Sequence, residues 1–179
     1  MFYDFFSKVG MKKIFFLLFL CFFFLECGYH LRGTGSSLPA HIKKINIPMF
    51  KNLTHRFELD VKLTRKVIDE MVARGKVEIT GDVQSADAIL IGEIISFEAT
   101  PIAFSGEGQA DRYYIVIVAE IRLRDLINRK IIFSNPHFVY QEQYEVPPGK
   151  DFETVQTEAI EKVAEKFARS LVITILEGF

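Results

Sequence analysis

The side chains able to do chemistry are few in this chain, and their spacing argues against catalysis. Two cysteines and four histidines occur in 179 residues. His30 and His41 lie in a Gly- and Ser-rich stretch, His55 at the start of a helical pattern and His137 beside a proline. No two have the spacing of metal ligands. There is no GxSxG elbow, no P-loop and no GxGxxG segment; Gly106-Glu107-Gly108 marks a loop. Carboxylates are scattered along helical patterns, where a solvated face is the ordinary explanation. The reading is of a non-enzymatic protein that binds or assembles, without metal or cofactor.

Cys27 is the residue with an evident chemistry. From Met11 the sequence reads MKKIFFLLFLCFFFLEC, with Lys12 and Lys13 ahead of an apolar run from Ile14 to Leu25. Crossing a bilayer takes about 20 apolar residues, whereas the core of an export signal needs about 7–15. Residues 1–26 therefore read as a signal peptide, with Met11 the expected start; a short uncleaved anchor is the alternative. Cleavage before Cys27 would remove Cys21 and leave one cysteine as the first residue of the mature chain. A lone thiol cannot close an intrachain disulfide and is a liability in an oxidising compartment. Acylation would resolve this and tie the chain to a membrane. Leu25 and Glu26 depart from the small residues that usually precede an acylated cysteine.

Composition narrows the classes further. Phenylalanine occurs 18 times, nine of them within residues 1–24, so the two ends of the chain suit different solvents. The formal net charge of −1 argues against nucleic acid, which demands a basic surface. With 25% charged and 49% hydrophobic residues, a wholly disordered chain is excluded. Residues 27–41 read as a lipidated linker and 42–179 as one domain, large enough to bury a core without disulfide or metal.

The elements of that domain follow from periodicity. Ile42, Ile45 and Ile47 before Pro48 predict a first strand. Asn52 and Thr54 offer caps for a helix over about 55–73, with Phe57, Val61, Ile68 and Val72 on its inner stripe and Glu58, Lys62, Arg65, Lys66 and Asp69 opposite. Strands are predicted at 76–80, at 88–99 (nearly all apolar, as if buried on both faces) and at 113–124. A fifth, over 130–146, is interrupted by Asn135-Pro136 and so is bent, near an edge. Asp151 is the expected cap of a last helix reaching about Leu176, with Phe152, Val155, Ala159, Val163 and Phe167 inward. The order β–α–β–β–β–β–α predicts an α+β two-layer sandwich: two helices on one face of a mostly antiparallel four- to five-stranded sheet. Tyr114, Val116 and Val118 would point away from the helices. Either a loop such as 100–112 buries them, or they form a docking surface for another protein.

Cys27-Gly28-Tyr29-His30-Leu31-Arg32-Gly33 closely resembles the mature start of the LPS-assembly lipoprotein LptE family. More weakly, Phe50-Lys51-Asn52-Leu53-Thr54 before the first helix, Ala86-Asp87-Ala88 before an apolar strand, the 106–113 hairpin and the terminal helix follow the family order. The resemblance implies an outer-membrane lipoprotein on the periplasmic side, anchored by its N-terminal lipid. It also implies partnership with the LptD-type β-barrel, which such a protein plugs while lipopolysaccharide is inserted into the outer leaflet, and an α/β sandwich. By its place before the last helix, Lys150 matches one lipopolysaccharide-contacting basic position. The other falls near Ser105, where the match fails and Arg112 could substitute. Arg32 would serve the barrel or periplasmic segment. The competing readings are a secretin pilotin-type lipoprotein and a lipid-anchored hydrolase.

Overall fold

The computed structural model describes residues 38–177 except Lys76, Glu107 and Asp151. The chain divides into Met1–Thr34 and Gly35–Phe179, and every described residue belongs to the second unit. Cys27 through Gly33, and the expected cap Asp151, lie outside the described residues.

Among the described residues are six strands and two long helices. They are β1 (Lys44–Asn46), β2 (Lys51–Asn52), α1 (Leu59–Gly75), β3 (Glu78–Thr80), β4 (Ala88–Phe104), β5 (Ala110–Asp125), β6 (Ile131–Glu145) and α2 (Phe152–Glu177). The strand order is β3-β1-β4-β5-β6, and β2 also pairs with β4. The three long strands form an antiparallel meander, while β1 pairs in parallel with both β3 and β4, and β2 with β4. The sheet is thus mixed and six-stranded, because the short Lys51–Asn52 segment, read as the approach to a helix, adds a strand.

Both helices cover one face. Ile115, Ile117, Ala119, Ile121 and Leu123 of β5 are fully buried there, with Leu90 and Ile94 of β4. The last helix buries Phe152, Val155, Ala159, Val163 and Phe167, as its 3.6-residue period predicts. Arg65 and Lys66 both reach Glu161 at 2.9 Å and join the helices.

The inner stripe of α1 is not the expected one. Leu59, Leu63, Val67 and Met71 are wholly buried, whereas Phe57, Val61 and Val72 are exposed. Helical geometry begins only at Leu59 and Glu58 sits at φ 57, so Phe57 lies outside the helix; within it a second apolar stripe, Leu59, Leu63, Val67 and Met71 at four-residue spacing, is the one that packs into the core. β4 also differs from expectation: it is central in the sheet but buried on one face only, and Ile91 and Ile95 are exposed. The strands run further than predicted, β4 to Phe104 and β5 from Ala110, so residues 100–112 are mostly hairpin rather than a covering loop. At Asn135-Pro136, β6 is irregular: the register shifts between Ala119 and Ile121 opposite, and β6 is an edge strand.

Candidate functional site

β5 has 16 residues, which at strand rise separates the two ends of the meander by roughly 50 Å. One end carries the β4–β5 hairpin and the β6–α2 connection. The other carries the β5–β6 turn and the start of β1.

At the hairpin end, Ser105 N–H donates to Gln109 O (2.7 Å) and Gly108 N–H to Ser105 O (3.0 Å), with Gly108 at φ 79. Beside it, Pro147-Pro148-Gly149-Lys150 closes through Lys150 N–H to Pro147 O (3.1 Å), with Gly149 at φ 75. Proline second and a positive-φ glycine third make a type II turn. Tyr113 stacks on Phe152 at 4.2 Å and fixes the start of α2 beneath this turn. Between the two turns lies an open cleft of about 400 Å³, lined by Ser105, Gln109, Asp111, Pro147 and Lys150 among others. Among the described residues of that lining, Lys150 is the cation and Asp111 the carboxylate. Such a cleft can hold an anionic oxygen through the ammonium and the Ser105 hydroxyl.

Arg112 is at the same end but does not line the cleft. It belongs to the face of β5 turned from the helices, in register with Glu145, and its Nη2 donates to Glu145 Oε1 at 2.8 Å. Tyr114, Val116 and Val118 continue along that face and are half-buried. Their cross-strand neighbours are Thr100 and Gln143, Glu98 and Gln141, and Ser96 and Val139 in turn. Tyr114 Oη lies 2.6 Å from Gln141 Oε1. The face is therefore amphipathic, with valines set among polar side chains.

At the opposite end is a polar knot that residue patterns did not reveal. His41, expected in the linker, has Nε2 2.7 Å from Oδ2 of Asp125, 84 positions later. Asn128 Nδ2 donates to the same oxygen at 2.9 Å, and the Ile127 and Asn128 N–H groups donate to Oδ1 at 2.9 Å. Burial pushes the Asp125 carboxyl up, but the Asn128 and His41 contacts outweigh it and hold its pKa at about 2. Asp87 Oδ2 accepts from the Lys43 and Lys44 N–H groups at 2.8 Å, which keeps that carboxyl below its ordinary range. These acids fasten the incoming chain to the sheet. Ala86-Asp87-Ala88 was the available clue to Asp87; for His41 and Asp125 no local signal exists.

Two helices on one face of a mixed sheet with a long antiparallel meander define the class, a two-layer α+β sandwich. It is similar to the PelC dodecamer of Paraburkholderia phytofirmans (TM-score 0.51, 17% identity, 80% of this chain and 95% of that one). It is likewise similar to hypothetical protein CT253 of Chlamydia trachomatis (0.53, 10%, 77% and 97%) and protein XCC0632 of Xanthomonas campestris (0.53, 12%, 79% and 90%). At identities this low the likeness shows the fold alone. No curated protein matches the chain. The family model LptE, lipopolysaccharide-assembly, matches residues 42–175, nearly the whole sandwich, and the chain belongs to that family. Among the described residues no helix is long and apolar enough to cross a membrane, and no cluster of His, Cys, Asp or Glu could hold a metal ion.

Proposed function

We propose that this chain is a non-enzymatic lipoprotein of the outer membrane, acylated at Cys27 after removal of residues 1–26, that plugs an LptD-type β-barrel and assists lipopolysaccharide insertion. The family match over residues 42–175 carries the reading. The leading residues Cys27–Gly33 support it, as a mature terminus of the family's kind. The amphipathic face bearing Tyr114, Val116 and Val118 is the surface assigned to the barrel, where polar and apolar side chains alternate as a partly wet interface requires.

Lipopolysaccharide phosphates are assigned to the hairpin end. Lys150 in the cleft is the first contact. Arg112 is the second once phosphate replaces Glu145, because an exposed ion pair contributes only about 0–1 kcal/mol and yields to a doubly charged anion. A tagged protein recovered from outer membranes should bring down a large barrel, and recovery of none removes the reading. Separately, Arg112→Ala with Lys150→Ala should weaken lipopolysaccharide binding while leaving the melting temperature nearly unchanged, and added salt should mimic that loss. Affinity unaltered in the double variant, or indifferent to salt, would return these residues to ordinary surface charges.

A further inference from the structure

We propose that the β5–β6 turn and the sheet face beside it form a basic, isoleucine-tipped surface that docks on an anionic lipid bilayer. The segment runs Arg122-Leu123-Arg124-Asp125-Leu126-Ile127-Asn128-Arg129-Lys130-Ile131. Its acid, Asp125, is buried and turned inward onto His41 and Asn128. What remains outside in the segment is positive and apolar apart from Asn128, and the half-buried carboxylate of Asp87 beside it is engaged by the Lys43 and Lys44 N–H groups. Ile127 and Ile131 are 58% and 62% exposed, and Arg124 stands in register with Ile131 on one side and Ile89 on the other. Arg122 has Glu120 at 3.2 Å and Lys44 has Glu78 at 3.7 Å. Among the described residues, Arg124, Arg129, Lys130 and Lys43 have no ion-pair partner.

Exposed aliphatic side chains flanked by unpaired cations suit an interface where the aliphatics enter the acyl boundary and the cations meet phosphate. An anion in water would leave both isoleucines wet. The chain's own course points the same way. Leu38 and Ile42 enter the core, and His41 is tied to Asp125, so the N-terminal lead joins the sandwich at this end. The residues from Cys27 to Leu38 span at most about 40 Å when extended, which keeps this end within reach of a bilayer holding Cys27. The direction of approach rests on the proposed acylation; the composition of the surface does not.

The chain has no tryptophan, so Ile127→Trp supplies a single reporter, with Phe104→Trp at the opposite, hairpin end as control. The full chain, purified in detergent, is reconstituted with vesicles of phosphatidylcholine alone or with phosphatidylglycerol. Pelleting with neutral vesicles reports the anchor; tryptophan emission and quenching by brominated lipid report the turn. A blue shift and quenching at position 127 on anionic vesicles are expected, reversed by salt, weak on neutral vesicles and absent at position 104. Each cation near an anionic surface contributes about fivefold to partition (~1 kcal/mol), so Arg124→Glu with Lys130→Glu should lower the seated-to-free ratio at least about 25-fold. A reporter that stays in water on anionic vesicles overturns the proposal. So does one that responds equally on neutral vesicles, ignores the charge reversals, is released by inorganic phosphate at constant ionic strength, or is shielded by a barrel protein without lipid. Failure to pellet with neutral vesicles refutes the anchor instead, and leaves the result on anionic vesicles to decide the surface.

Discussion

Replacing Val116 with Asp tests whether the sheet face turned from the helices is free. Val116 is half-buried, with Glu98 directly opposite on β4 and Gln141 on β6. Its neighbour Ile117 points the other way and is wholly buried under the helices. An aspartate at 116 stays solvated at its carboxylate, so it carries no full burial penalty. It loses strand propensity on a scale spanning about 1 kcal/mol and meets a like charge across the strand, worth roughly 0.2–1 kcal/mol. The sum is about 1–2 kcal/mol. For a domain of this size each kcal/mol moves the melting temperature by about 2–4 °C, so a fall of about 2–8 °C is expected. Val116→Lys should fall less, because it faces Glu98 with the opposite charge. Ile117→Asp buries an unpaired carboxylate and should cost more than about 4 kcal/mol, enough to prevent folding in many domains. Thermal and urea unfolding of the purified protein give the comparison, and recovery of the barrel with Val116→Asp measures the docking role. If Val116→Asp costs as much as Ile117→Asp, or Lys and Asp at 116 are equally harmful, the face is covered and the reasoning fails.

Intact mass of the purified full-length product should correspond to a chain beginning at an acylated Cys27; an unmodified mass starting elsewhere refutes the anchor. Gly92→Ala should destabilise by about 1–3 kcal/mol, because a Cβ there would meet the buried Phe50 ring at 2.7 Å. That penalty should vanish in a Phe50→Ala background, and its persistence in urea titrations would deny the contact. Asp125 is lowered from 3.8 to about 2 in the folded chain. Its contribution is therefore complete above the unfolded value and is lost as pH falls through the folded one. The urea midpoint should drop between pH 4 and 2, and less steeply in Asp125→Asn; identical profiles would remove Asp125 from the acid response.

The terminal helix, the long strands and the irregular edge at Asn135-Pro136 were legible because their causes are local. A 3.6-residue period, strict alternation and a missing amide proton act within a few residues. The first helix was legible as an element but not in its inner stripe, because two apolar stripes lie side by side and the sheet buries the one led by Leu59. Lys150 was singled out by the family resemblance, from its place before the last helix, and the turn that carries it follows from Pro148 and Gly149. Its neighbours in the cleft were not, since Ser105 and Asp111 reach it only when the meander folds back. The parallel pairing of β1 and β2 with β4, and the capture of His41 by Asp125, depend on residues more than 40 positions apart. Local sequence determined which segments are helix, strand or turn and which side chains alternate. Tertiary packing alone decided which stripe is inside, that residues 100–112 pair mostly as a hairpin instead of covering the face bearing Val116, and that Arg112 answers to Glu145 while Lys150 lines the cleft, because those outcomes depend on competition for one surface among segments far apart in the chain.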